Sequence, residues 1–283
     1  MPVRFEINAG RLQVIQSFDF PAVYLDHWAI RRLSSDATLG ARFLNSLKRS
    51  RGSLVVSHAN FAEIAGPADP RHADEIATFL EAALPNIYFA MFDSQKAIDQ
   101  EKVSRDTTIR LKAPPDIELL LEVARQRPDD FRSFSIAGVI KAITARRDQL
   151  NAVWTESNRE LANLINTVRF NAETMKQAQN FQGHPRHVPT LAVMQELLRP
   201  IFLDQAMAIS QNDAGDIRHA ITSISYCDYT LLDRRWEDFY ERMVRRFSQL
   251  GLHIRMAKVF SDRGQGLELF LKEFENHGVE SPA

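Results

Sequence analysis

The stretch NDAGDIRHAITSISYCDYTLLDRRW, residues 212–236, predicts a short helix followed by a buried strand. Asp216 is expected at the start of the helix, one turn after Asp213, and apolar residues then recur at the spacing of helical turns. The run that begins at Tyr229 is apolar and β-prone, and it ends in Asp233. A carboxylate at the carboxyl end of a parallel strand, facing another at a helix start, is a common way to build an acidic site in an α/β sheet.

Two earlier stretches also combine a buried strand with an acidic residue. Residues 21–26, PAVYLD, predict a strand that ends in Asp26, and residues 53–57, SLVVS, predict a second strand with Glu63 on the helical turn that follows. Further strands are predicted at residues 86–91 and 253–260, and short edge strands at 4–7 and 12–15. Because the main strands alternate with helices, the sequence predicts an α/β fold with a parallel sheet covered on both faces.

The segment of residues 96–199 contains helix signals only. One long helix is predicted from roughly Phe134 to Gln179, because glycine and proline are missing after Gly138 and the apolar positions keep a helical period. Shorter helices are predicted at residues 94–103, 115–126 and 190–198. We therefore interpret residues 1–95 and 200–283 as one α/β domain and residues 96–199 as a helical insertion. Its apolar stripe is either core or an oligomer seam, so a homodimer is one expectation.

The composition of the 283 residues excludes several classes of protein. A formal net charge of -1 gives no global field that would attract nucleic acid or membrane, so any basic patch must be local. Cys227 is the only cysteine, which excludes an intrachain disulfide and a cysteine-rich zinc site. No apolar run has the length of a signal peptide core or a membrane span, so no membrane partner and a cytoplasmic location are the default expectations.

The four carboxylates of Asp26, Glu63, Asp216 and Asp233 are expected at the same edge of the sheet. Their mutual repulsion is unfavourable unless a cation neutralises it. Hard oxygen ligands without histidine or cysteine at ligand spacing point to Mg²⁺ or Mn²⁺ rather than zinc. Such an ion can orient a phosphodiester, activate water and stabilise the leaving oxygen. The sequence therefore predicts a metal-dependent phosphodiester-cleaving site.

Three motifs together resemble the acidic motifs of the PIN-like nuclease superfamily. They are Tyr24-Leu-Asp26, the turn Asn60-x-x-Glu63 after a buried strand, and the run DIRHA…CDYTLLD from Asp216 to Asp233. The resemblance implies an α/β sheet and cleavage of RNA, or less often DNA, that depends on Mg²⁺ or Mn²⁺. Many members are the toxins of toxin–antitoxin pairs or process RNA, so the resemblance also implies a possible protein partner such as an antitoxin.

By motif, Asp26 matches the first acidic position of the family, Glu63 the second, Asp216 the third and Asp233 the fourth. Asp213 is a further expected metal ligand, and Asp228 an expected assistant. The chain departs from the family pattern in two ways. Leu231 stands where the family often has Ser or Thr, and a long helical segment separates the second and third motifs. The resemblance is therefore to a larger, insertion-bearing member rather than to a small toxin.

Arg234 and Arg235 follow Asp233 directly and are the preferred candidates for contact with substrate phosphates. His219, one turn after Asp216, is a further candidate for substrate contact, and a buried, hydrogen-bonded core histidine is its alternative. A strand-end aspartate is on its own more often a helix N-cap than a ligand. Two other functions stay open: a non-catalytic scaffold whose helical segment binds a protein, and a hydrolase of small phosphate esters.

Overall fold

A computed structural model describes residues 3–8, 11–65, 70–104, 112–116, 119, 135–145, 147–184 and 187–277. Seven strands are present in these ranges: β1 Val3–Asn8, β2 Arg11–Gln16, β3 Ala22–Leu25, β4 Ser53–Val56, β5 Ile87–Phe89, β6 Tyr229–Leu231 and β7 Lys258–Phe260. The first two form an antiparallel hairpin of their own and not the edge strands expected from the sequence. The other five form one parallel sheet in the order β5-β4-β3-β6-β7, which confirms the predicted α/β class.

The helices cover both faces of the sheet. They are α1 His27–Ser35, α2 Ala37–Ser50, α3 His58–Ala65, α4 Pro70–Ala83, α5 Ser94–Val103, α6 Ile136–Ala145, α7 Arg147–Val168, α8 Ala172–Asn180, α9 Pro189–Leu203, α10 Gln211–Tyr226, α11 Arg234–Gln249 and α12 Gly266–Asn276. None of the helices in the described ranges combines the length and the apolar character that crossing a bilayer requires.

The strand order creates a switch point beside β3. The chain runs outward from β3 through β4 to β5, and it later resumes on the other side of β3 with β6 and β7. Residue Leu25 of β3 is in register with Leu231 of β6. In open α/β sheets, ligands bind in the crevice beyond the carboxyl ends of the strands at such a point. The fold therefore directs attention to the residues that follow β3 and β6.

Alternating side chains of the sheet enter two separate hydrophobic cores. Val23 and Leu25 of β3 face a core formed with α1, α2, α3, α4, α6 and α12. Ala22 and Tyr24 face the opposite core, formed with α5, α7, α9, α10 and α11. The helical segment between the two halves of the sheet thus contributes to both cores, since α6 packs on α3 and α4 while α7 packs on α10.

The single long helix predicted from Phe134 to Gln179 is wrong, because the described part of this segment contains α6, α7 and α8. The break between α7 and α8 is set by Asn171, whose side chain accepts hydrogen bonds from the backbone N–H groups of Glu173 and Thr174. An N-cap of this kind starts a new helix whatever the apolar period of the residues around it. The helix predicted at 115–126 lies largely outside the described residues.

Two other predicted boundaries also differ from the structure. The last strand was expected to span 253–260, but only residues 258–260 pair, because the neighbouring β6 offers three residues and its first, Tyr229, is in register with Lys258. The helix expected to start at Asp216 starts instead at Gln211, since Ser210 and Asp213 form a capping box before it. Asp216 therefore lies in the second turn.

Candidate acidic active site

The four acidic residues singled out from the sequence line one cavity of about 630 Å³. Each comes from a different element: Asp26 follows β3, Glu63 lies on α3, Asp216 on α10, and Asp233 follows β6. The cavity lies at the carboxyl ends of β3 and β6, on the switch point of the sheet. The fold thus brings together residues that are separated by up to 207 positions in the chain.

Asp26 and Asp233 occupy the N-cap positions of α1 and α11, yet neither side chain makes a capping hydrogen bond. Asp36 and Asp93 show the usual behaviour, because each carboxylate accepts two backbone N–H groups at the start of its helix. The two strand-end aspartates are therefore N-caps by the position of their backbone, but their side chains do not cap the helices. Their carboxylates remain available to the cavity.

Burial and mutual repulsion raise the pKa values of these carboxyls. The pKa of Asp26 is raised to about 7, first by burial, then by the charge of Asp233 and, to a lesser extent, that of Asp216; the backbone N–H of His27 opposes the shift. Burial likewise raises the pKa of Glu63 to about 8, with repulsion from Asp26, Asp216 and Asp233 adding to it. Near neutral pH, these two groups therefore exchange protons readily unless positive charge is supplied.

Asp216 and Asp233 lie closer to solvent. Burial raises the pKa of Asp216 to about 6, followed by repulsion from Asp233, while a hydrogen bond with the side chain of Trp236 lowers it. The pKa of Asp233, which is exposed at the mouth of the cavity, is raised by partial burial and by Asp262. Asp216 therefore loses its proton at a lower pH than Asp26 and Glu63 do.

The chemistry of this donor set fits a hard divalent cation. The four carboxylates supply the oxygen ligands that Mg²⁺ and Mn²⁺ prefer, and His27 adds an imidazole to the cavity lining. One of these oxygens, Glu63 Oε2, is buried and makes no hydrogen bond to any described residue. Within the described ranges, however, no three His, Cys, Asp or Glu side chains stand close enough together to hold a metal ion as they are. Binding would therefore require these side chains to converge, which their repulsion disfavours until a cation is present.

The structure does not bring Asp213 to the cavity. One carboxylate oxygen accepts hydrogen bonds from the backbone N–H and hydroxyl of Ser210, both at 2.8 Å, and the other pairs with the guanidinium of Arg235. Arg235 also lies over the ring of Trp236, with its Cζ 5.6 Å from the ring centroid. Arg234 is exposed beside the mouth. Asp213 thus stabilises the start of α10 and links this helix to α11. The guanidinium of Arg235 is already paired with Asp213.

His219 is buried, and its Nδ1 shares a hydrogen bond with the hydroxyl of Tyr24. Burial lowers its pKa to about 4, so the ring is neutral at physiological pH. The same hydroxyl accepts a hydrogen bond from Asn60 Nδ2 at 3.2 Å, while Asn60 Oδ1 accepts the backbone N–H of Ser57 at 2.9 Å. This network joins β3 and α10 to the start of α3, the helix that carries Glu63. His219 has the environment of the core histidine named as the alternative from the sequence.

Searches against protein-family models, curated proteins and solved structures found no match. The functional argument therefore rests on the residues of the site and on their arrangement.

Besides Asp213, a second acidic residue predicted near the site lies elsewhere, and an acidic residue whose charge acts on Asp233 was missed. Asp228 was expected to assist the site, but it stands at the amino end of β6, where Oδ2 accepts the backbone N–H of Ala22 at 2.7 Å. That expectation was wrong, because the two ends of a strand face opposite edges of the sheet. Asp262, two residues beyond β7, was missed although it carries the same strand-end signal as Asp26 and Asp233.

The rest of the cavity wall was not predicted from the sequence. This wall includes the side chains of Trp28 on α1 and of Trp154 and Asn158 on α7. Trp154 is one of the apolar positions that keep the helical period of the predicted long helix. It was therefore interpreted as part of the apolar stripe, because periodicity does not distinguish a core position from a pocket wall. The spacing of four residues between Trp154 and Asn158 was the available signal, since it places both on one face of a helix.

Proposed function

We propose that the chain is a metal-dependent nuclease of the PIN-like type, which hydrolyses phosphodiester bonds with RNA as its preferred substrate. The observation that supports this most is the pair of strand-end aspartates. Asp26 and Asp233 hold N-cap positions without capping, at the switch point of a parallel sheet, and share a cavity with Glu63 and Asp216. Neither of the two strand-end carboxylates caps its helix, and the charges of the four acidic residues repel one another.

In this proposal, Asp26, Asp216 and Asp233 hold the Mg²⁺ or Mn²⁺ ion. The ion, when bound, supplies charge stabilisation for the phosphoryl oxygens and lowers the pKa of water. Glu63 either becomes a further ligand of the ion or orients the attacking water. Its Oε2 atom, which makes no hydrogen bond to a described residue, is suited to accept a proton from that water. A cytoplasmic location and a partner such as an antitoxin remain parts of the same proposal.

The test is cleavage of labelled single-stranded RNA, structured RNA and DNA by the purified full chain with Mn²⁺ or Mg²⁺, with and without chelator. Asp26→Asn removes one charge from the cavity and should abolish cleavage. Asp74→Asn is the matched control, because Asp74 is exposed on α4 away from the cavity lining and its loss should change nothing. Full metal-dependent activity in the Asp26→Asn protein would refute the assignment.

A non-catalytic scaffold is the second candidate. Among the described residues, no three carboxylate or imidazole side chains lie close enough together to hold a metal ion, and this favours the scaffold. It is also favoured by Val153 and Leu164, which are exposed on α7 and, at a spacing of three helical turns, share one side of it. Such a side suits a protein partner or a second copy of the chain. Metal-dependent cleavage that is lost with Asp26→Asn would exclude this candidate.

A further inference from the structure

Unsatisfied polar atoms are concentrated at the acidic cavity. Among the described residues, four buried polar side-chain atoms without a hydrogen-bond partner belong to residues that line it: His27 Nδ1, Trp28 Nε1, Glu63 Oε2 and Asn158 Oδ1. A buried donor or acceptor left unpaired destabilises the folded chain, so native proteins rarely gather several in one place. A ligand that supplies both donors and acceptors would satisfy them. The indole Nε1 of Trp28 is a donor only and cannot bind a cation, so a cation alone does not account for all four atoms.

Asn158 is held firmly in the wall. Its side chain is buried, with 5% of the residue exposed. Gly215 on α10 makes this possible, because a Cβ at that position would lie only 3.1 Å from Asn158 Nδ2. The unpartnered Oδ1 belongs to a residue of the cavity lining. The amide is therefore a fixed polar group with one acceptor unused.

Trp154 lies one turn before Asn158 and is also fixed by its neighbours. The guanidinium of Arg218 lies over its ring, with Cζ 5.6 Å from the ring centroid. Arg218 in turn donates hydrogen bonds to the hydroxyl and the carbonyl of Ser157, at 2.9 and 3.2 Å. The ring of His219 contacts the indole edge to face, at a centroid distance of 6.3 Å. An aromatic ring that is already ordered loses little entropy when a flat ligand stacks on it.

We propose that this wall binds an unpaired nucleobase, so that the substrate is a single-stranded nucleic acid. The inference rests on the proposed function, since it takes the carboxylates as the site of phosphodiester cleavage. Trp154 provides the stacking surface, and Asn158 Oδ1 accepts an N–H group from the edge of the base. Bases inside a duplex are already stacked on both faces, so they cannot lie on the indole. A cavity of about 630 Å³ lies in the range of small-molecule sites and accommodates one nucleotide.

The test is the affinity of the full chain for three labelled decamers: single-stranded RNA, single-stranded DNA of the same sequence, and duplex RNA. Fluorescence anisotropy is measured in the Asp233→Asn background with Mg²⁺ present, which prevents cleavage during the measurement. The Trp154→Ala change should weaken single-strand binding roughly fivefold to a hundredfold, the range for loss of one base–aromatic stack. Trp154→Phe should retain most of the affinity, and Asn158→Leu should lose part of it. Val153→Ala, an exposed neighbour on α7, is the matched control.

The outcomes separate this inference from the proposed function. Metal-dependent cleavage and single-strand binding that persist unchanged in both the Trp154→Ala and Asn158→Leu proteins would overturn the inference and leave the nuclease proposal intact. Duplex binding as tight as single-strand binding would overturn it as well. Equal affinity for single-stranded RNA and DNA would support recognition of the base. If the chain neither cleaves nor binds single-stranded RNA, single-stranded DNA or duplex RNA, both proposals are rejected. If Trp154→Ala fails to fold, Trp154→Phe and Asn158→Leu carry the test.

Discussion

Asp26 and Asp233 follow adjacent parallel strands, and burial of Asp26, and after it the charge of Asp233, raises the pKa of the Asp26 carboxyl. The backbone N–H of Asp26 donates to the carbonyl of Leu231 at 3.1 Å, so the strand pairing itself fixes the first aspartate relative to the second strand. Two like charges held together by a sheet store repulsion that folding alone does not relieve. Burial of the carboxyl groups, together with their mutual repulsion, is the physical basis of the first two predictions.

Divalent cations should stabilise the protein through these carboxylates. Mn²⁺ or Mg²⁺ at about a hundredfold excess over its Kd would add about 2.7 kcal/mol to the free energy of unfolding, a shift of several degrees in Tm. The shift should disappear in Asp26→Asn and Asp233→Asn and persist in Asp74→Asn. Thermal denaturation with and without the ions measures it. An equal shift in all four proteins would locate cation binding outside this cavity.

Glu63 should make stability depend on pH in the absence of metal. Its pKa is raised from 4.5 to about 8 in the folded chain, so between these values the folded state binds more protons than the unfolded state. The free energy of unfolding should therefore fall as pH rises through this window, and the contribution is fully present below pH 4.5.

Glu63→Gln removes the charge and should flatten that dependence. At pH 8 in chelator, we expect the variant to be more stable than the unmodified chain by about 1 kcal/mol or more, with a smaller difference at pH 5. Denaturant unfolding at both pH values measures this. A variant that is less stable than the unmodified chain at pH 8, or a difference that grows as pH falls, would show that the Glu63 carboxylate is stabilised and not repelled.

Gly215→Ala should disturb Asn158 more than it disturbs the fold. Alanine is favoured over glycine inside a helix by about 1 kcal/mol, so the change would ordinarily stabilise α10. Here the new methyl group would meet Asn158 Nδ2 at 3.1 Å, and the amide must move by a few tenths of an ångström. We expect RNA affinity to fall severalfold with little net change in Tm. Gly183→Ala is the control, because its Cβ would make only an ordinary contact, 3.9 Å from the Phe181 ring. A stabilised protein with unchanged affinity would contradict this prediction.

The sequence predicted the four acidic positions of the cavity because each leaves a local mark: an apolar strand, then a carboxylate at its end or on the next helix. It misplaced Asp228 because its partner, the Ala22 backbone, is distant in the chain. It misplaced Asp213 because the local capping box with Ser210 was overlooked. The N-cap at Asn171 was not predicted either, because the apolar residues around it continue the helical period. Short-range patterns therefore predict that a strand or a helix is present, whereas the direction in which a side chain points depends on contacts across the sheet.

The hydroxyl of Tyr24 should be the most sensitive polar group beneath the site. It bonds both His219 Nδ1 and Asn60 Nδ2, and all three residues are buried, so Tyr24→Phe leaves two polar atoms without a partner. We expect a loss of about 1–3 kcal/mol in the free energy of unfolding. Tyr229→Phe is the matched control, because that hydroxyl bonds His277 Nδ1 at 2.9 Å in a partly exposed position where water can replace it. Denaturant unfolding of both variants measures the difference. Equal losses would show that water reaches the Tyr24 network, and His219 would then have to be reconsidered as a group that substrate can reach.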